Sequence, residues 1–104
     1  GNIVLRDRRL LSEDGIIIVV VTINSNGDIL TGPDIITRGF VYIRESEELI
    51  AKATTKVEKA LKECEENNVT EWSKLKKTII DVLKSYINKE IKRNPMILPI
   101  IMEV

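Results

Sequence analysis

The longest unbroken apolar run is Ile16-Ile17-Ile18-Val19-Val20-Val21-Thr22-Ile23, whose β-branched side chains and length predict a strand. Ser12-Glu13-Asp14-Gly15 supplies a turn before it. Asn24-Ser25-Asn26-Gly27-Asp28 supplies a hairpin turn after it, with Asn26-Gly27 suited to positive φ. The chain then returns through Ile29 and Leu30, breaks at Gly32-Pro33, and resumes over Gly39-Phe40-Val41-Tyr42-Ile43-Arg44. Because Pro33 has no N–H to give to a ladder, the pattern predicts one return path with an irregular middle.

From residue 46 the period changes. Ser46 stands at an N-cap position, and Glu47 and Glu48 follow in the first turn, where carboxylates suit the helix dipole. Leu49, Ile50, Ala53, Val57, Ala60, Leu61 and Cys64 then share one helical stripe. Asn67-Asn68 marks its stop. Thr70 is positioned to cap a second helix with the stripe Trp72, Leu75, Ile79, Val82, Leu83, Tyr86 and Ile87, ended by Asn94-Pro95. The short connection predicts an antiparallel helix pair. Met96 to Val104 is almost wholly apolar and reads as a last strand, placed at a sheet edge by Pro99. The order β-β-α-α-β predicts an α+β fold, a small sheet of about three strands with the helix pair packed on one face.

A sheet covered on one side only should alternate apolar and polar positions, and these strands do not. Ile16, Ile18 and Val20 are as apolar as Ile17, Val19 and Val21; the same holds for Phe40 and Tyr42 against Val41 and Ile43, and for Ile97 and Ile101 against Leu98 and Ile100. The helices cover one face, so the other needs a lid. Exposed apolar patches of that size mark interaction sites. The candidate interface is therefore Ile16, Ile18, Val20, Phe40, Tyr42, Ile97 and Ile101, although a one-residue slip of register swaps the faces. The competing reading folds the loop of residues 24–38, or the segment Gly1 to Leu11, over that face.

Composition narrows the chemistry. At 104 residues, 43% hydrophobic and 31% charged, the chain is sized and balanced for a single globular domain spanning residues 1–104. No apolar stretch approaches the length of a bilayer, so no membrane contact is expected. It contains no histidine and one cysteine, Cys64. A zinc site and a histidine-dependent nucleophile are therefore not expected within it, and any catalysis would rest on carboxylates or lysines. Cys64 cannot form an internal disulfide and lies on the apolar stripe; a small core residue in a reducing cytoplasm is the expectation. Glu13 and Asp14 beside Gly15 are only a weak cation signal.

Sixteen basic side chains balance sixteen acidic ones, but unevenly along the chain. Residues 70–93 carry Lys74, Lys76, Lys77, Lys84, Lys89, Lys92 and Arg93 against Glu71, Asp81 and Glu90. Arg38, Lys74, Lys77 and Lys84 are the candidates for RNA contact through phosphate. No aromatic side chain interleaves with the lysines for base stacking, and a solvated helix face near a C-terminus carries the same charge pattern. Arg6, Arg8 and Arg9 read as a solvated segment or a phosphate clamp; Asp34 and Arg38 as an ion pair pinning the loop or as a partner contact.

Three segments also resemble one family. Arg6-Asp7-Arg8-Arg9-Leu10-Leu11-Ser12-Glu13-Asp14-Gly15, then Gly32-Pro33-Asp34-Ile35-Ile36-Thr37-Arg38-Gly39-Phe40-Val41-Tyr42, then Pro95-Met96-Ile97-Leu98-Pro99-Ile100-Ile101-Met102-Glu103-Val104 are similar, in that order, to the C-terminal domain of bacterial ribonuclease J. The resemblance implies a piece of a metallo-β-lactamase/β-CASP ribonuclease that degrades and matures RNA, ribosomal RNA included, as a 5′-to-3′ exonuclease and an endonuclease. It implies zinc held by histidines and aspartates in the parent enzyme's catalytic region, whose metal motif is absent here, so no catalytic, metal or cofactor residue carries over. It further implies a three-stranded sheet facing two helices, a homo-oligomer assembled partly through this domain, and partners in the parent's catalytic domains and, through them, RNA. The expected role is a non-catalytic assembly domain; the alternative is an accessory RNA-binding module.

Overall fold

The computed structural model describes residues 14–39 and 46–104. Strand β1, Ile16–Ile23, is the central strand of a three-stranded sheet ordered β2-β1-β3. Being flanked on both sides suits its unbroken β-branched run. Ile17, Val19, Val21 and Ile23 are completely or almost completely buried, and the even-numbered positions are half-buried. The hairpin turn forms as its sequence predicts. Asn24 Oδ1 accepts the N–H groups of Asn26 and Asp28, both at 2.9 Å, and the Asn24 N–H donates to the Asp28 carbonyl at 3.0 Å. Of the Asn26-Gly27 pair only Gly27 takes a positive φ, +85°.

Strand β2, Ile29–Arg38, runs antiparallel to β1. The irregular middle expected at Gly32-Pro33 is present, but as a shift of register within a strand and not as a break. The shift falls between the Val20–Asp34 and Thr22–Thr31 pairs. A bulge leaves residues without a ladder partner, which accommodates a proline. Pro33, joined to Gly32 by a cis peptide bond, is buried. Asp34 and Arg38 consequently lie on a strand and not in an irregular loop. Four residues of extended chain separate them by about 13 Å, so the expected Asp34–Arg38 ion pair does not form. The predicted continuation over Phe40 to Arg44 lies outside the described residues, as do the arginines at 6, 8 and 9.

Helices α1, Ser46–Glu66, and α2, Trp72–Ile91, pack on one face of the sheet. Lys56 meets Tyr86 and Cys64 meets Thr78, so the two helices run in opposite directions. Leu49, Ala53, Val57 and Leu61 of α1 and Leu75, Ile79, Leu83, Tyr86 and Ile87 of α2 join the odd-numbered β1 residues in one core. Cys64 is half-buried against it, a free thiol at the core margin. Two details depart from expectation. Glu71, not Thr70, stands at the N-cap of α2 and makes no side-chain cap hydrogen bond. Thr70 is committed elsewhere: its methyl group fills the space a side chain at Gly27 would need. Trp72, at the first position of α2, is 43% exposed, past the end of the stripe that the core covers.

Lys92 closes α2 in the left-handed conformation, its N–H donating to the Asn88 carbonyl at 2.9 Å. The Asn94 N–H then donates to Asp14 Oδ2 at 3.0 Å, which gives Asp14 a structural partner. Strand β3, Met96–Glu103, follows at the sheet edge, parallel to β1. The Met96 N–H donates to the Gly15 carbonyl and the Val104 N–H to that of Ile23. Even-numbered β3 residues therefore bond β1, and Pro99, with no N–H, faces the free edge.

Candidate assembly surface

The pairing registers arrange the sheet face opposite the helices into rows. Ile36, Ile18 and Leu98 form a central row across the three strands. Arg38, Ile16 and Met96 form the row on one side; Asp34, Val20 and Ile100 form the row on the other. Thr31, Thr22 and Met102 extend the face beyond the latter. Among the described residues nothing covers this face. Ile36 is 41% exposed, Leu98 44%, Ile100 38% and Met102 49%, in contact with the half-buried Ile16, Ile18 and Val20 between them. The loop of residues 24–38, one expected cover, is instead the hairpin turn and β2 itself; residues 1–11, the other, lie outside the described residues.

The structure thus brings together Ile16, Ile18 and Val20, as the sequence pattern predicts. It corrects Ile97 and Ile101, which face the helices: the parallel register sets Ile97 beside Ile17 and Ile101 beside Val21, with Ile101 only 7% exposed. Their places on the open face are taken by Leu98 and Ile100, which the expected alternation puts on the core side, with Met102 beyond them, and by Ile36, which falls within the expected loop of residues 24–38. Pro99 carries only part of the signal that would find them. Within a strand, residues whose N–H groups point to one edge also share one face. With Pro99 turned to the free edge, the odd residues of β3 share a face, and which face that is depends on the side of β1 on which β3 lies. Phe40 and Tyr42 lie outside the described residues.

The RNA candidates do not converge. Lys74 pairs with Glu71 at 3.8 Å and Lys77 with Asp81 at 3.3 Å, both on the surface of α2. Arg38 sits across the molecule on the open sheet face, where its guanidinium donates to the Thr37 carbonyl at 2.7 Å. Lys84 lines an open depression with Lys89, Lys92, Ser85, Asn88 and Asn94 at the end of α2. On the outer side of the helix pair, Lys56 Nζ lies 5.2 Å from the centre of the Tyr86 ring, within cation–π range. The Tyr86 hydroxyl is pushed above its ordinary value, first by burial and then by nearby Glu90, with Lys52 opposing. Lys52 is itself held above its usual value, first by its hydrogen bond to Glu48. These are surface arrangements of a helix pair, and no described helix is long and apolar enough to cross a membrane.

Residues 3–104 match the family described as the ribonuclease J C-terminal domain. The chain is 55% identical to ribonuclease J2 of Bacillus subtilis strain 168 over 105 residues, covering 100% of this chain and 19% of that protein. It is 50% identical to ribonuclease J 2 of Staphylococcus epidermidis and 47% identical to ribonuclease J 2 of Staphylococcus aureus, with the same coverage. The chain therefore spans about a fifth of the length of these relatives. With the β-β-α-α-β order and the mixed three-stranded sheet in place, the match over nearly the whole chain makes it a member of the ribonuclease J C-terminal domain family.

Proposed function

We propose that this chain is a non-catalytic assembly domain of a ribonuclease of the J type, and that it joins copies of the enzyme through its open sheet face. The observation that carries this reading is the row of exposed Ile36, Leu98, Ile100 and Met102 on the face the helices leave uncovered. Burying apolar area of this kind stabilises by about 25 cal/mol per Å² and is non-directional, which suits association. RNA cleavage, zinc and cytoplasmic residence then belong to the parent enzyme, whose catalytic domains are the further partners. Sedimentation equilibrium of this chain at low and high salt tests the reading. A dimer that persists in high salt is the expected result, since apolar burial is not screened. Leu98→Asp, at an exposed edge position, should yield a folded monomer with unchanged helical circular dichroism. A wild-type monomer at every concentration would sink the proposal.

The depression lined by Lys84, Lys89 and Lys92 favours a second reading, contact with RNA phosphate. Its test is the salt dependence of RNA binding: each phosphate neutralised steepens the fall of affinity with salt. A flat dependence, or unchanged binding after Lys84→Glu, would remove it.

A further inference from the structure

The open face carries opposite charges in a pattern that makes it self-complementary. Arg38 and Asp34 flank Ile36 on β2, one in each row beside the central row of Ile36, Ile18 and Leu98. We infer that a second copy of this chain docks on this face with a two-fold axis running along that central row, so that Arg38 of each copy meets Asp34 of the other. This rests on the assembly reading above and adds the symmetry and the register.

Three considerations select this arrangement. A homodimer interface is isologous, so each patch must complement itself under a two-fold rotation. For two sheets stacked face to face, the axis must lie parallel to the sheets. An axis along the strands would set β2 over the partner's β3, pressing Arg38 and Asp34 against apolar Met96 and Ile100 with neither charge paired. Burying unpaired charge is costly. An axis across the strands sets β2 over β2 and exchanges the two flanking rows. Each guanidinium then lies over a carboxylate, and Ile36, Ile18 and Leu98 lie over their own counterparts. Packed sheets lie about 10 Å apart with strands aligned to within about 30°, a gap that an arginine and an aspartate span together. Growth of the sheet by pairing β3 with a second β3 is disfavoured, because Pro99 presents no donor at the free edge.

Charge exchange tests the register. Arg38→Asp alone, or Asp34→Arg alone, places like charges face to face at two symmetric positions and should weaken the dimer about tenfold or more. The double variant Arg38→Asp/Asp34→Arg has the wild-type composition and net charge, and it should return the dissociation constant to near the wild-type value. Circular dichroism of each variant separates loss of association from loss of fold. If the double variant is as weak as the singles or weaker while Leu98→Asp still abolishes the dimer, the face assembles in another register and the inference is overturned with the assembly reading intact. If the wild-type chain is a monomer, or Leu98→Asp leaves the dimer unchanged, both fall together.

Discussion

Asn24 organises the hairpin with one oxygen atom. Its Oδ1 takes the N–H groups of Asn26 and Asp28, and its Nδ2 donates to Asp28 Oδ2 at 3.2 Å. Such a turn is legible in sequence because every participant lies within a few residues. Gly27 is needed on two counts, only one of which is local. Its φ of +85° favours glycine, and a Cβ there would stand 2.6 Å from Thr70 Cγ2 and 3.1 Å from Thr70 Cβ. The second requirement comes from a residue far along the chain, which also explains why Thr70 does not cap α2. Gly27→Ala should lower stability by roughly 1–3 kcal/mol in urea denaturation. Adding Thr70→Gly should recover the part due to the clash and leave the part due to backbone conformation. If the second change recovers nothing, the contact with Thr70 is not what constrains this position.

Among the secondary elements, the helices were the most legible. Their stripes at positions 49, 53, 57 and 61 and at 75, 79, 83 and 87 are the observed core, because a 3.6-residue period fixes a buried face without knowledge of the partner. Helix ends were less so, as Trp72 illustrates. Leu83 is completely buried, so Leu83→Ala should cost about 2–5 kcal/mol, whereas Trp72→Ala, at an exposed helix end, should cost far less. Equal losses would put Trp72 back in the core. The facing of β3 was not legible, because Met96 to Met102 is apolar at almost every position and only the parallel register to β1 decides which half points inward. One element-level effect depends on pH. Burial and Glu90 raise the Tyr86 pKa above 10.0, so the folded state favours the neutral phenol. That contribution is fully present below the unfolded pKa and is lost as pH rises through the folded one. Denaturation at neutral and at strongly alkaline pH should therefore show wild type losing more stability than Tyr86→Phe; parallel losses would show that Tyr86 is not responsible.

At the scale of the whole molecule, a chain with no net charge still has direction. Its helices present charged surfaces to solvent, and the only charged side chains among the described residues of its open sheet rows are Arg38 and Asp34 on β2. That the sheet is apolar on the face away from the helices was legible, because the strands are apolar on both faces. The particular residues on that face were not, since they depend on strand order. The parallel pairing of β1 with β3 also has a bearing on how the chain is made. Ile16 pairs with Met96, and Asp14 holds Asn94 across 80 residues of sequence. During synthesis the hairpin and both helices emerge before β3, so one side of the most hydrophobic strand stays unpaired until residues 96–103 clear the ribosome. An open apolar strand edge is a template for aggregation. A stop codon after Asn94 should accordingly yield insoluble protein, and supplying residues 95–104 in trans as a peptide should recover soluble material. A soluble, folded truncation would show that the two-stranded hairpin closes the core unaided.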